Sequence, residues 1–505
     1  MIDYHALAPE LILAAAVMAV LVVDMLPVRK YWTAVIALVG LFATFVPVLT
    51  LGFCESLDFC DYSGAREMFG GSYVIDTFSL VLKGLFLGSA FVAVLLSVGY
   101  LESNRFWQGE FYFLMLASVL GTLVMASSRD LVTMFVGLEL VTGPTFLMAG
   151  WRKGDARSNE AALKFFIIGV ISAAVLLFGM SLVYGVTGEL TFTGIRAGSV
   201  GVLDGDLSGL FLIGVLFTIL GFAFKVSAVP FHFWTPDTYE GAPTPVTAYL
   251  SVVSKTAGFV GLLSICYLAF GEVTTLWGTG LWILAALSMT VGNLIALRQT
   301  NVVRLLGYSS IAQGGFILVP FGAAIAADVT GSDLEEAFFA TVTYLVIYAF
   351  MNLGAFGVVI AVGNRLGSAE IKDWAGLFSY APGLATMLGL FFFSLAGIPP
   401  LAGWFAKLVM FRSVLATGSG WASALAVIAA VNSVIAFYYY SKVVVSAFMN
   451  KVPDSVPVAE IREQRTAPSL RFALGLTTAG VIAIGFYPPL VSGIAEAAKT
   501  FASGF

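Results

Sequence analysis

Long apolar runs separated by short polar stretches fill this chain from end to end. A helix needs about 20 mainly apolar residues to cross about 30 Å of hydrocarbon. On that ruler about 14 runs qualify, near 7–26, 31–53, 74–98, 110–127, 130–150, 160–186, 209–235, 245–270, 279–297, 302–325, 335–362, 378–415, 420–449 and 470–494. The run 378–415 reads as one interrupted span, and the polar stretches 54–73, 187–208 and 450–470 are loop-sized. The pattern predicts an all-α polytopic membrane protein whose residues 1–505 form one transmembrane domain.

Composition agrees. Charged residues make up 11% of the 505, where a soluble domain carries about 25%. With 59% apolar residues, this excludes a disordered chain, a disulfide scaffold and a soluble enzyme of ordinary surface. A net charge of −5 offers no basic field for nucleic acid.

Loop cations set the orientation. With the N-terminus outside, inner loops hold 14 of them: Arg29, Lys30, Arg105, Arg152, Lys153, Arg157, Arg298, Arg304, Arg365, Lys372, Lys451, Arg462, Arg465 and Arg471. The outer side holds 5, Arg66, Arg129, Arg196, Arg412 and Lys499, so both termini are expected outside. The start, MIDYHALAPELILAAAV, carries acids rather than a basic segment and reads as a retained first helix. Cys54 and Cys60 share an outer loop, where a disulfide and two free thiols both fit; Cys266 reads as a small apolar filler. No metal site is expected.

Two spans are interrupted alike. GFAFKVSAVPFHFW places Lys225 before Pro230, and SLAGIPPLAGWFAKLVMF places Pro399-Pro400 and Gly403 before Lys407. Proline removes a backbone donor and clashes with the preceding turn, so each helix should break at mid-membrane. Such breaks are tolerated only inside protein or beside a watery cavity. Paired interruptions point to inverted repeats. The breaks lie five spans apart, which predicts two five-helix repeats: three helices over 1–109, the repeats over 110–270 and 271–449, then a loop and last helix over 450–505.

Six cations remain inside apolar runs: Lys83, Lys164, Lys225, Lys255, Lys407 and Lys442. A charge at mid-bilayer costs at least about 2.5–3.5 kcal/mol, so it needs a role. Glu139, within LVTMFVGLELVTGPTFLMAG, and Lys225, Lys255 and Lys407 form the candidate proton row. Lysine suits this work because burial loosens its hold on a proton and a nearby carboxylate tightens it. Glu139 moving toward or away from Lys225 would load or unload that lysine, and Lys255 would pass the proton to Lys407. A static Glu–Lys pair is the alternative, although one acid cannot neutralise three lysines.

Lys164 fits either a relay or a snorkelling lysine, while Lys83 and Lys442 read as structural. His232, which exchanges a proton near neutral pH, fits a relay or a local hydrogen bond. Ser309, Ser310 and Gln313 fit a water file or helix-to-helix hydrogen bonds. His5 reads as surface.

Three segments resemble a known family: PDTYEGAPTPVTAYLSVVSKTAG at 236–258, GNLIALRQTNVVRLLGYSSIA at 292–312 and GIPPLAGWFAK at 397–407. They are similar to subunit N of bacterial respiratory complex I, the antiporter-like proton-pumping subunits of NADH-quinone oxidoreductase, and the likeness runs over nearly the whole chain. It implies 14 helices with inverted five-helix repeats around broken helices 7 and 12. It also implies relay roles for Glu139, Lys164, Lys225, Lys255 and Lys407, with His232, Ser310 and Gln313 as secondary relay candidates. In subunit M a glutamate would be expected at the position of Lys407. Subunit L would add a long lateral helix, for which the eleven residues after Ile494 leave no room. Relatives often have histidine where this chain has Gln313, so water beside Ser310 would have to replace a titrating group there.

The resemblance implies a translocase subunit in the bacterial plasma membrane without a redox centre of its own. Flavin, iron–sulfur clusters, NADH and quinone would sit in partner subunits, and this chain would bind no cofactor. Other membrane-arm and peripheral-arm subunits, lipid, protons and internal water are the expected partners. Two further readings remain: a subunit of a multisubunit Na⁺/H⁺ antiporter, and a membrane scaffold that moves no protons.

Overall fold

The computed structural model describes residues 3–53, 64–104, 106, 109–325, 330–454, 456 and 458–498. Among them the chain is a bundle of helices with one small hairpin. The N-terminal helices are α1 (Ala8–Met25), α2 (Tyr31–Gly52) and α3 (Thr77–Ser103). Next come α4 (Gly109–Ser127), α5 (Leu131–Ala149), α6 (Ala156–Thr187), α7 (Phe192–Leu203), α8 (Ser208–Lys225), α9 (Trp234–Gly241) and α10 (Thr244–Ala269). The later helices are α11 (Thr274–Ala296), α12 (Val302–Leu318), α13 (Gly331–Leu366), α14 (Pro382–Ala396), α15 (Ala402–Leu415), α16 (Gly420–Met449), α17 (Pro468–Phe486) and α18 (Pro489–Ala498). Twelve described helices are long and apolar enough to cross a membrane, and α12 and α14 are shorter apolar helices.

Local chemistry sets the boundaries. Asp76 and Ser79 close a capping box at the start of α3, and Thr330 with Asp333 does the same for α13. Asp130 caps α5 and Asn301 caps α12, each accepting from orphan N–H groups of the first turn. The helices α10 and α13 bury nearly every residue and form the centre. A helix apolar all round belongs there. α6 and α16 leave apolar faces exposed, as lipid-facing helices do.

Four details differ from the sequence expectation. The stretch 187–208 contains α7, because Thr191 caps its first turn and Phe192, Ile195 and Ser199 bury one face. Within 54–73, strand β1 (Arg66–Met68) forms an antiparallel hairpin with β2 (Tyr73–Ile75). The span near 302–325 ends at Leu318, and Pro320 begins a 3₁₀ turn to Ile325. The last apolar run is two helices, α17 and α18, parted at Tyr487-Pro488. Cys54, Cys60, Arg105 and Lys499 lie outside the described residues, as does the Arg462 side chain; Cys266 is fully buried and free.

Both expected interruptions are present. α8 ends at Lys225 and the chain resumes as α9 after Val226–Phe233; α14 ends at Ala396 and α15 begins at Ala402. Each break contains a cis proline, Pro230 and Pro400. The freed backbone donors find protein acceptors: Val229 N donates to Ser288 Oγ at 2.9 Å, Ile398 N to Phe393 O at 3.0 Å and Gly403 N to Ser394 Oγ at 3.1 Å. Gly397 takes φ +92°, a left-handed turn that glycine adopts without penalty.

Lys83 is wholly buried and paired with Glu10 of α1 at 2.6 Å, with Tyr73 Oη at 3.4 Å. This agrees with a structural role, while Lys442 is exposed. Lys83→Met should leave Glu10 unpaired and destabilise the chain by about 3–5 kcal/mol. Heating isolated membranes and following the folded fraction checks this, and adding Glu10→Gln should recover most of the loss.

Candidate functional site

The two breaks and a π-helical turn set where three lysines sit. Lys225 is the last residue of α8, Lys255 follows a π-helical turn at Leu250–Ser254 within α10, and Lys407 lies in the second turn of α15. All three are buried, at 4%, 2% and 6% exposure. An ammonium so placed must be solvated by the protein.

Each has oxygen partners. Lys225 Nζ donates to Thr142 Oγ1 of α5 at 2.6 Å. Lys255 Nζ donates to both Ser310 O and Ser310 Oγ at 2.7 Å. Lys407 Nζ donates to Ala396 O at 2.7 Å and Ser433 Oγ at 3.2 Å, and sits 4.6 Å from the Phe316 ring centre. Ala396 is the last residue of α14, so the second break supplies this acceptor. Carbonyls at a helix C-terminus lack intrahelical donors and attract cations.

Glu139 is half-buried on α5, three residues from Thr142 and therefore on the same face. It forms no ion pair with Lys225, whose Nζ donates to Thr142 instead. The static Glu139–Lys225 pair, the alternative reading of these two charges, is not formed in this structure.

Between Lys255 and Lys407 lies a hydroxyl-rich core. Tyr348 Oη donates to Ser310 Oγ at 3.0 Å, and Tyr239 Oη lies 3.5 Å from the same atom. Tyr344 Oη donates to Gln313 Oε1 at 2.7 Å. Gln313 Nε2 donates to Leu395 O at 3.0 Å and to Tyr440 Oη at 3.4 Å, while Tyr440 Oη and Ser309 Oγ are 2.5 Å apart. Gln313 thus reaches the carbonyl next to the one that Lys407 uses. Its amide is anchored on both sides, among hydroxyls that both give and take hydrogen bonds.

Sequence reasoning missed Thr142, Tyr344, Tyr348, Tyr440 and Ser433. A usable signal was present for two of them, since Tyr344 and Tyr348 stand one helical turn apart in an apolar run.

The remaining sequence candidates stand apart. Lys164, at 42% side-chain exposure, pairs with Glu160 at 2.7 Å and Asp237 at 2.8 Å. His232 is half-buried in the first break, without a hydrogen bond to any of the three lysines. His5 is exposed and 3.1 Å from Thr50 Oγ1. Among the described residues, no group of three or more His, Cys, Asp or Glu side chains is placed to hold a metal ion.

The family model described as NADH:quinone oxidoreductase/Mrp antiporter, TM matches residues 128–433, which contain Glu139 and all three row lysines. The chain belongs to this family. It is 41% identical to NADH-quinone oxidoreductase subunit N 2 of Streptomyces griseus, over 99% of this chain and 93% of that one. A chain of respiratory complex I from Thermus thermophilus superposes with a TM-score of 0.76 at 29% identity, covering 97% of this chain and 99% of that one. A chain of the Mrp complex from Dietzia reaches 0.82 at 17% identity, over 99% and 97%, a likeness of fold. The polytopic helical architecture read from the sequence is therefore that of the oxidoreductase and antiporter membrane subunits.

Thr142→Val in this family member removes the oxygen beside Lys225 without changing side-chain volume. It should destabilise the chain by about 1–3 kcal/mol. Thermal unfolding in isolated membranes checks this, with Thr142→Ser expected to behave like the parent.

Proposed function

We propose that this chain is a proton-translocating membrane-arm subunit of an NADH-quinone oxidoreductase in a bacterial plasma membrane. Inner-side water delivers protons, Glu139 biases Lys225 through its charge, and Lys255 passes the proton to Lys407. The observation that carries this reading is the set of three buried lysines, each held by protein oxygens, with two groups of hydroxyls between the second and third, one around Ser310 and one around Gln313. Isolated buried charges would cost too much without a role, and lysine is a group that exchanges a proton when its surroundings change.

The chain is the non-redox part of a translocase. NADH, flavin, iron–sulfur clusters and quinone belong to partner subunits, and quinone reduction there supplies the driving free energy. Each proton costs about 2.3 kcal/mol per 100 mV of opposing potential. Both termini face outward, as the loop cations indicate. The two breaks mark inverted repeats, α4 to α10 and α11 to α16, packed as one domain. Lys164, His232, Ser310 and Gln313 flank the row as entry and bridging groups.

Ion exchange is the second reading, favoured by the fold likeness to the Mrp complex. Purifying the assembly separates the two: co-purifying flavin with NADH oxidation supports the first, and sodium-dependent exchange without them supports the second.

Lys225→Ala or Lys255→Ala should assemble and reduce NADH-driven proton uptake into inverted vesicles severalfold. Normal uptake by either variant in a fully assembled complex would sink the relay assignment.

A further inference from the structure

A second charged cluster surrounds α9, the short helix that follows the first break. Asp237 stands at its centre and shares its two oxygens between two helices. Oδ2 accepts from Lys164 Nζ of α6 at 2.8 Å, and Oδ1 accepts from Arg304 Nη1 of α12 at 2.8 Å. Arg304 Nη1 also reaches Glu240 Oε2 at 3.0 Å, and Lys164 reaches Glu160. Three acids thus face two cations.

The packing around α9 is as close as the ion pairs. A methyl group added at Gly241 would lie 2.6 Å from Ala161 Cβ and from Arg157 O of α6, and one at Gly307 of α12 would lie 3.4 Å from Pro236 Cα. A side chain at Gly241 would push α9 away from α6, and Gly307 sets α12 in van der Waals contact with α9, so α9 lies packed between α6 and α12. Partial burial by itself would lift the Asp237 carboxyl, and the hydrogen bonds from Lys164 and Arg304 more than offset it, holding the group below the usual carboxylate range. Asp237 is therefore an anion at neutral pH, whose two partners sit in the two proposed repeats.

Position in the chain gives this clamp its consequence. Asp237 lies between Lys225, at the end of α8, and Lys255, within α10, on the segment that joins them. Releasing α9 would shift both lysines. We propose that Asp237 is a positioning residue, a carboxylate latch that holds α9 between Lys164 and Arg304 and so couples the two halves of the relay. Lys164 is then an electrostatic anchor at the entrance, held in place by Asp237.

This inference rests on the relay reading, and the test keeps the two apart. Protons moved per NADH oxidised are measured in inverted membrane vesicles carrying the assembled complex. Asp237→Asn should lower that ratio severalfold, and Asp237→Glu should restore most of it. Lys164→Gln and Arg304→Gln should each lower it, and the double variant should lose no more than Asp237→Asn, because both cations act through one carboxylate. Strictly additive losses in the double variant would overturn the latch, and this comparison stands even if Asp237→Asn does not assemble. An assembled Asp237→Asn complex with the parent's ratio would also overturn it. Lys255→Ala serves as the control: a parental ratio there defeats the relay reading itself, whereas a low ratio beside a parental Asp237→Asn defeats the latch alone.

Discussion

A cation inside a bilayer must be solvated by the protein that carries it, and this requirement organises the structure. Three lysines in the centre of the bundle each meet oxygen atoms, and a broken helix provides part of that solvation. A continuous helix spends its carbonyls on its own amides. Interrupting α14 frees Leu395 O and Ala396 O, which then receive Gln313 and Lys407. The break thus holds a charge where lipid would not tolerate one.

From this follow the other features. The broken backbone must stay away from lipid, so α10 and α13 bury nearly all their surface and the breaks pack against them. Their donors end on small hydroxyls, Ser288 of the neighbouring α11 and Ser394 within the broken α14 itself. The hydroxyl groups of Tyr344, Tyr348 and Tyr440 satisfy the polar atoms between Lys255 and Lys407 without adding charge. A neutral hydroxyl donates and accepts at once, so such a core suits passage of a proton better than binding of an ion. At the other end of the first break, Asp237 joins helices that the break would otherwise leave loosely related.

The helices and both breaks were legible in the sequence, because lipid imposes one length on apolar runs and proline has one effect within them. Lys225, Lys255 and Lys407 were legible for the same reason: charge in an apolar run is rare. What stayed hidden depends on packing. Thr142 is one of many threonines, and only the fold turns it toward Lys225. That Lys225 donates to Thr142 rather than pairing with Glu139 depends on how the helices pack, which apolar periodicity does not define. Lys164 read equally as a relay or a snorkelling side chain, and its partner Asp237 lies 73 residues away in sequence. The amphipathic α7 escaped the search because that search looked for spans.

On the function proposed above, protons travel along the row from Lys225 to Lys407. Its most direct test is a hydrated, high-resolution structure of the assembled complex in lipid. The account predicts ordered water joining Lys225 to Lys255, and water or hydroxyl groups at hydrogen-bonding distance in every step past Ser310 and Gln313 to Lys407. A dry apolar gap on either side of Lys255, persisting through turnover states, would contradict it.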